Sequence, residues 1–298
     1  MLKFIGVMTA IAALGVGASA SAAPALAVGE IVARNVAARG GAEAWRKVTT
    51  LEMSGTMDAN KPFSSRPDYH PPAAAARPRG AQPSAAAQPQ GAQDDPNRVI
   101  QLPFRLEMKR PRMTRLEIEF DKSTAIQIYD GTRGVKIRPF LGRATPEPYT
   151  PAELKLAAQE QELDGPLIDY ARKGTQIALA GIEPVRGREA YKLKLTLKSG
   201  DVRHVWVDAA TFLDVQIDGA RKLDGKQHAV VTYLADYRSI DGLMMPMLAE
   251  TTVAGVPGAT KLSIDKVAVN PRLDDARFSV VAPVSSATVA KATGTGRH

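Results

Sequence analysis

The sequence predicts a mainly β (α+β) protein, a curved antiparallel sheet forming an incomplete β-barrel closed by short helices. Three observations carry that expectation. Apolar and polar residues alternate with period two along most of the chain after residue 50, as in Leu193, Leu195 and Leu197 against Lys192, Lys194 and Lys198. Helical spacing is confined to two stretches, 28–48 and 150–174. About a dozen strands with one apolar face each need more cover than two short helical segments supply, which leaves a concave apolar surface.

The elements follow in order. Met1-Leu2-Lys3, an apolar run from Phe4 to Val16 and an Ala20-Ser21-Ala22 box form a secretory signal peptide over 1–22, so the mature chain is expected in the periplasm. The run is shorter than the roughly 20 residues a membrane span needs. From 28 to 48, Ile31, Val32 and Val36 recur at helical spacing and Gly40-Gly41 interrupts, which predicts two short helices with Trp45 packing downward. Leu51, Met53, Gly55 and Met57 then alternate with Glu52, Ser54 and Thr56 as a half-buried strand.

Residues 60–97 hold eight prolines and nine alanines, with Phe63 and Tyr69 as the large apolar side chains. Such a segment buries too little to offset its ordering entropy and reads as a disordered Pro/Ala-rich insertion in a hairpin. Strands resume with Leu102, Phe104, Leu106 and Met108 on one face against Arg105, Glu107 and Lys109. Leu116, Ile118 and Phe120 then oppose Arg115, Glu117 and Glu119. The YDGTRG turn at 129–134 joins Ile126 and Ile128 to Val135 and Ile137 as a hairpin.

Thr150, Pro151 and Glu153 open a helix as N-cap, first position and first-turn acid, and DGPLIDYARKG at 164–174 predicts a turn and a further short helix ending at Gly174. The last third is a meander: Ile177–Ile182, then Tyr191 to Leu197, then Val205 and Val207 around Trp206, then Leu213, Val215 and Ile217 against Asp214, Gln216 and Asp218. Three more strands run through 230–237, 244–253 and 261–269, and 285–298 is a frayed tail. Residues 23–284 thus read as one half-barrel domain.

Composition narrows the chemistry. The 298 residues carry 39 Lys+Arg against 31 Asp+Glu, a formal net charge of +8, and no cysteine, which removes disulfides and thiolate chemistry. His70, His204, His228 and His298 leave little room for a His-built metal site or an acyl-transfer triad, and no cofactor or metal is expected. His204, between charged Arg203 and apolar Val205, reads as a solvent-facing strand residue. Asp164 and Asp169 flank a Gly-Pro turn and read as helix caps rather than an acid/base pair. No phosphate-cradling glycine loop and no nucleophile elbow occur in the mature chain, so no enzymatic activity is expected. The basic charge is spread along the chain, which fits anionic partners such as lipid headgroups and not sequence-specific nucleic-acid binding.

The expected ligand-binding surface is the apolar concave face: Met53, Met57, Leu106, Met108, Leu116, Ile118, Ile126, Ile128, Leu193, Leu195, Val205, Val207, Leu213, Val215, Met245 and Met247. All seven methionines after the signal peptide fall in strands, and unbranched Met suits a surface that accepts flexible chains.

ARGGAEAWRKVTTLEMSGTM at 38–57, YDGTRGVKIRPF at 129–140, EPYTPAELK at 147–155, DGPLIDYARKG, GREAYKLKLTLKSGDVRHVWVDAATFL at 187–213 and YRSIDGLMMPMLAE at 237–250 together resemble the periplasmic outer-membrane lipoprotein-sorting proteins, the LolA-like carriers. The resemblance spans residues 29–282 apart from the insertion. It implies an incomplete barrel whose cavity takes acyl chains of a lipoprotein or another lipid on the way to the outer membrane. It also implies monomeric action between an inner-membrane exporter and an outer-membrane acceptor. Arg115, Arg133 and Arg138 stand near turns, where such carriers place a lid arginine, and each reads as a solvated strand charge. Two other readings use the same pattern: a periplasmic sensor with the same lipid-binding cleft, and an integral outer-membrane β-barrel, which scarce aromatics and the two helical interruptions disfavour.

Overall fold

The computed structural model describes residues 26–59, 100–120, 123–160, 162–223 and 226–280. The expected signal peptide at 1–22, the expected insertion at 60–97 and the expected tail at 285–298 lie outside the described residues.

Two short helices come first, α1 (Val28–Ala38) and α2 (Ala42–Arg46). The Gly40-Gly41 break separates them. Gly40 has φ 104°, and a Cβ there would stand 2.4 Å from the Gly242 carbonyl oxygen, so only glycine lets α1 end against the sheet. The Met244 N–H donates to the Arg39 carbonyl at 3.2 Å across the same junction.

The strands are β1 (Thr50–Ala59), β2 (Ile100–Lys109), β3 (Met113–Phe120), β4 (Ser123–Tyr129), β5 (Gly134–Arg138), β6 (Arg143–Pro148), β7 (Gln176–Val185), β8 (Arg188–Thr196), β9 (Val202–Asp208), β10 (Asp214–Leu223), β11 (Lys226–Ile240), β12 (Leu243–Val253) and β13 (Ala259–Val269). They form one antiparallel sheet in the order β6-β5-β4-β3-β2-β1-β13-β12-β11-β10-β9-β8-β7. Sequence neighbours pair from β1 to β6 and from β7 to β13, and the two runs join where β13 returns to lie beside β1. The edge strands β6 and β7 do not pair among the described residues, so the sheet curves without closing as a membrane barrel must.

The chain crosses that seam through α3 (Pro151–Glu160). A capping box starts the helix: the Thr150 N–H donates to Glu153 Oε2 at 2.7 Å and the Glu153 N–H to Thr150 Oγ1 at 3.3 Å. Glu153 also pairs with Lys136 on β5, and Lys155 pairs with Asp201 in the β8–β9 turn at 2.9 Å. One helix therefore reaches charged groups near both ends of the sheet.

Residues 164–174 form turns, not the expected second helix. Asp169 has φ 54°, a left-handed conformation that a right-handed helix cannot contain, and Arg46 Nε donates to its carboxylate at 2.8 Å. Asp164 takes Arg110 at 3.0 Å and Lys173 at 2.8 Å, while its carbonyl accepts from Arg39 Nη1 at 2.9 Å. Both carboxylates anchor this segment by ion pairs rather than cap helices. The anchoring drives Leu167 and Ile168, each 0% exposed, into the core.

Helices and turns fill the concave side in two clusters. Trp45, Val48, Leu51, Met108, Leu163, Ile168, Leu243 and Met245 form one, and Ile31, Val32, Leu167, Leu193, Leu195, Val205 and Val207 the other. On the convex side the 3₁₀ turn Asp275–Phe278 lies against β3. Glu107, expected on a wet face, is buried there with Arg277 Nε donating to it at 2.7 Å, because the chain after β13 folds back over that face.

Candidate functional site

Residues paired across an antiparallel ladder share a face, so the register sorts every expected site residue. Starting from Leu51 and Met108 in the helix-side core, the pairs Met53↔Leu106, Gly55↔Phe104 and Met57↔Leu102 put these side chains on the concave face. Leu106↔Leu116 and Phe104↔Ile118 carry the face onto β3. On the other arm, Leu193↔Val205 and Tyr191↔Val207 carry it across β8 and β9, with Met245 on β12 in the core cluster.

Three expected members do not belong to it. Ile126 and Ile128 pair with Glu117 and Arg115, so they point to the convex side, and Ala125 and Gln127 take the concave positions opposite Ile118 and Leu116. The cause is the two-residue connection between Phe120 and Ser123, which are themselves a pair: residue numbers in each pair add to an odd sum, and the apolar parity switches. Val215 is the third. A bulge between Asp214 and Gln216 sends Val215 to the convex cluster of Val185, Ala190 and Trp206. Leu213 precedes β10 in the turn, half-buried.

The bulge turns Asp214 inward instead. Asn35 Nδ2 donates to its Oδ1 at 2.9 Å, Arg39 stands 3.7 Å from Oδ2, and Tyr237 Oη donates to its carbonyl at 2.8 Å. Burial pushes the Asp214 carboxyl up, and Arg39 and Asn35 only partly oppose it. Together with the Trp45 Nε1 bond to the Arg39 carbonyl, at 2.9 Å, this network holds α1 on the sheet.

The concave residues then divide by access. Leu193, Leu195, Val205 and Val207 are each 0% exposed beneath α1 and Leu167, and Met108, Met245 and Met247 are buried too. Met53, Met57, Leu106, Leu116 and Ile118 are half-buried. One row of paired residues crosses five adjacent strands outside the helix-side clusters: Leu102, Met57, Leu262, Ala249 and Leu234. Leu102 is buried and the other four are half-buried.

Candidate polar sites resolve into structural pairs. His204 lies on the convex face with Nδ1 2.7 Å from Asp218 Oδ2. Arg115, Arg133 and Arg138 are engaged by Glu117, Asp130 and Glu147. Among the described residues no cluster of three or more His, Cys, Asp or Glu could hold a metal, and no helix is long and apolar enough to cross a membrane. A groove of about 510 Å³ runs between α1 and the 167–172 turns, lined by Val32, Val36, Leu167 and Tyr170 among others, and it touches none of the expected site residues. Sequence alternation passed over Arg203, which shares the inward phase of Val205 and Val207 in β9; a charge in a dry phase was the available signal.

An open, curved antiparallel sheet with helices in its concavity defines the class: this is a LolA-like incomplete barrel. A LolA superfamily protein from Nitrosomonas europaea is similar at TM-score 0.51 and 12% identity, covering 86% of this chain and 99% of that one. A DUF1329 family protein from Desulfovibrio piger is similar at TM-score 0.51 and 15% identity, covering 85% and 97%. At such identities the likeness establishes the fold. No protein-family model matches the sequence, and no curated protein matches it.

Proposed function

We propose that the mature protein is a periplasmic carrier that binds the acyl chain of a lipid or lipoprotein on the accessible part of its concave face, for transfer toward the outer membrane. The observation that carries the reading is the row Met57, Leu262, Ala249 and Leu234: half-buried apolar side chains, aligned across adjacent strands and facing into a sheet that does not close. Each methylene of cargo buried against such a surface is worth about 0.8 kcal/mol, so a long chain needs no polar contact to bind. The basic start and the Ala-x-Ala box support export. The likeness in fold to a LolA superfamily protein supports a role in which an inner-membrane exporter loads the carrier and an outer-membrane acceptor unloads it.

The test is displacement of a polarity-sensitive fluorescent probe by fatty acid on delipidated protein, with Ile118→Glu on the concave face and Lys194→Glu on the convex face as a pair. Ile118→Glu should stay folded, because a half-buried carboxylate reaches water, and lose acyl binding. Lys194→Glu should bind as wild type does. A wild type that binds no acyl compound, or an Ile118→Glu variant that binds unchanged, overturns the carrier reading.

A further inference from the structure

We infer that Arg203 is a headgroup anchor, which makes the cargo an acidic amphiphile bearing a carboxylate or phosphate. The inference rests on the carrier reading and deepens it. Arg203 pairs with Leu195 across the β8–β9 ladder, so it shares the concave face with Val205 and Val207. It is half-buried. Among the described residues it has no hydrogen-bond, ion-pair or ring partner.

That isolation is unusual in this sheet. Arg105, Arg115, Arg138, Arg143, Arg188 and Arg238, the other strand arginines whose side chains are described, each stand within salt-bridge distance of a carboxylate. The acids near Arg203 in sequence or sheet are engaged elsewhere. Asp201 takes Lys155 at 2.9 Å and Ser199 at 2.7 Å, and Asp218 takes His204 on the convex face. A guanidinium on an apolar surface without a counter-charge loses hydration and recovers nothing, an arrangement that a bound anion corrects.

A second observation supplies the room. The β9–β10 ladder ends at Val205↔Ile217, two residues short of Arg203 on β9 and of Gly219 on β10, and a Cβ built on Gly219 meets nothing within 4 Å. Gly219 has no positive φ, so neither its backbone nor a close approach calls for glycine. The missing side chain leaves open space on the strand next to that of the unpaired cation. Val205, two residues from Arg203, pairs with Ile217, and Ile217 pairs with Thr232 on β11, two residues before Leu234, so a headgroup at Arg203 leaves its acyl chain within reach of the proposed apolar row. The planar donor fork of arginine suits a carboxylate and a phosphate alike.

The experiment uses the full mature chain, delipidated, with displacement of a neutral polarity-sensitive probe by oleate, oleoyl lysophosphatidate, methyl oleate and inorganic phosphate. Wild type should bind the two acids about tenfold or more tighter than the ester, as expected for charge-assisted hydrogen bonds. Whichever acid binds tighter names the headgroup. Arg203→Gln should weaken the acids to the level of the ester and leave the ester unchanged. Arg203→Lys should retain most of the preference. Since Arg203 has no partner to lose, both variants should melt within about 2 °C of wild type. Equal affinity of wild type for acid and ester, or an acid preference that survives Arg203→Gln, overturns the anchor while the carrier reading stands. Binding of neither acid nor ester overturns both. Inorganic phosphate that blocks oleate at matching concentration reduces the site to one for free anions and overturns the amphiphile.

Discussion

Leu195 and Ile118 are both apolar, both point into the concavity and both sit in strands of clean alternation, yet one is 0% exposed and the other half-buried. The difference lies in what covers them. Over Leu195 lie α1 and Leu167, held by the Asn35–Asp214 bond and by the ion pairs of Asp164. Ile118 belongs to neither helix-side cluster. One concave face therefore serves as a protein core at one end and as a candidate binding surface at the other.

Carboxylates break the comparison most sharply. Leu195→Glu should unfold the protein, an unpaired charge in that packing costing at least about 4 kcal/mol. Ile118→Glu should leave a cooperative melt, and circular dichroism on the two side by side reads the contrast. If Leu195→Glu also stays folded, the helix-side end is not a packed core.

The next largest effect lies where β1 passes from one end to the other. The bulge between Ser54 and Gly55 brings the Ser263 carbonyl within 2.0 Å of where a Gly55 Cβ would stand. Gly55→Ala should cost about 3 kcal/mol, because a backbone atom cannot swing aside as a side chain does. Chemical denaturation measures it, and a loss well under 1 kcal/mol would show that the two ends tolerate a shift between them.

A smaller contrast is in pH. Burial raises Asp214 above the ordinary carboxylate value of 3.8, so its contribution to stability is present below that value and is lost as pH rises through its folded pKa. Asp208 behaves oppositely. Burial pushes it up, but N–H groups of Thr211 and Ala210, the Thr211 hydroxyl and Arg188 together pull it below 3.8. Its contribution is present above 3.8 and is lost as pH falls through its folded value. Asp214→Asn should remove a component of stability that declines with rising pH, and Asp208→Asn one that declines with falling pH. Denaturant midpoints across pH 3 to 8 would separate them, and slopes of the same sign would contradict the placement of Asp214 beneath α1.

Least affected should be the exposed pair that Lys155, midway along α3, makes with Asp201. Lys155→Ala should move the melting temperature by no more than about 2 °C, since surface pairs are screened. A larger fall would mean that the helix across the seam depends on that contact.

Period-two alternation determined by itself that this chain makes a long antiparallel meander with the β4–β5 hairpin, and helical spacing with glycine and capping signals placed both glycine-bounded helices and the Thr150 cap. Those features depend on neighbours a few residues apart, where local chemistry dominates. Parity across β3–β4 was also within reach, because a two-residue connection after Phe120 dictates that Ile126 and Ile128 leave the face of Leu116 and Ile118. Only the tertiary structure decided the rest. The bulge that exchanges Val215 for Asp214 answers to Asn35 and Arg39 on a helix more than a hundred residues earlier. The left-handed Asp169 answers to Arg46, and buried Glu107 to Arg277. Alternation states that a strand has a dry face but carries no record of what dries it, since a helix, a returning terminus and a lipid all select the same leucines and methionines.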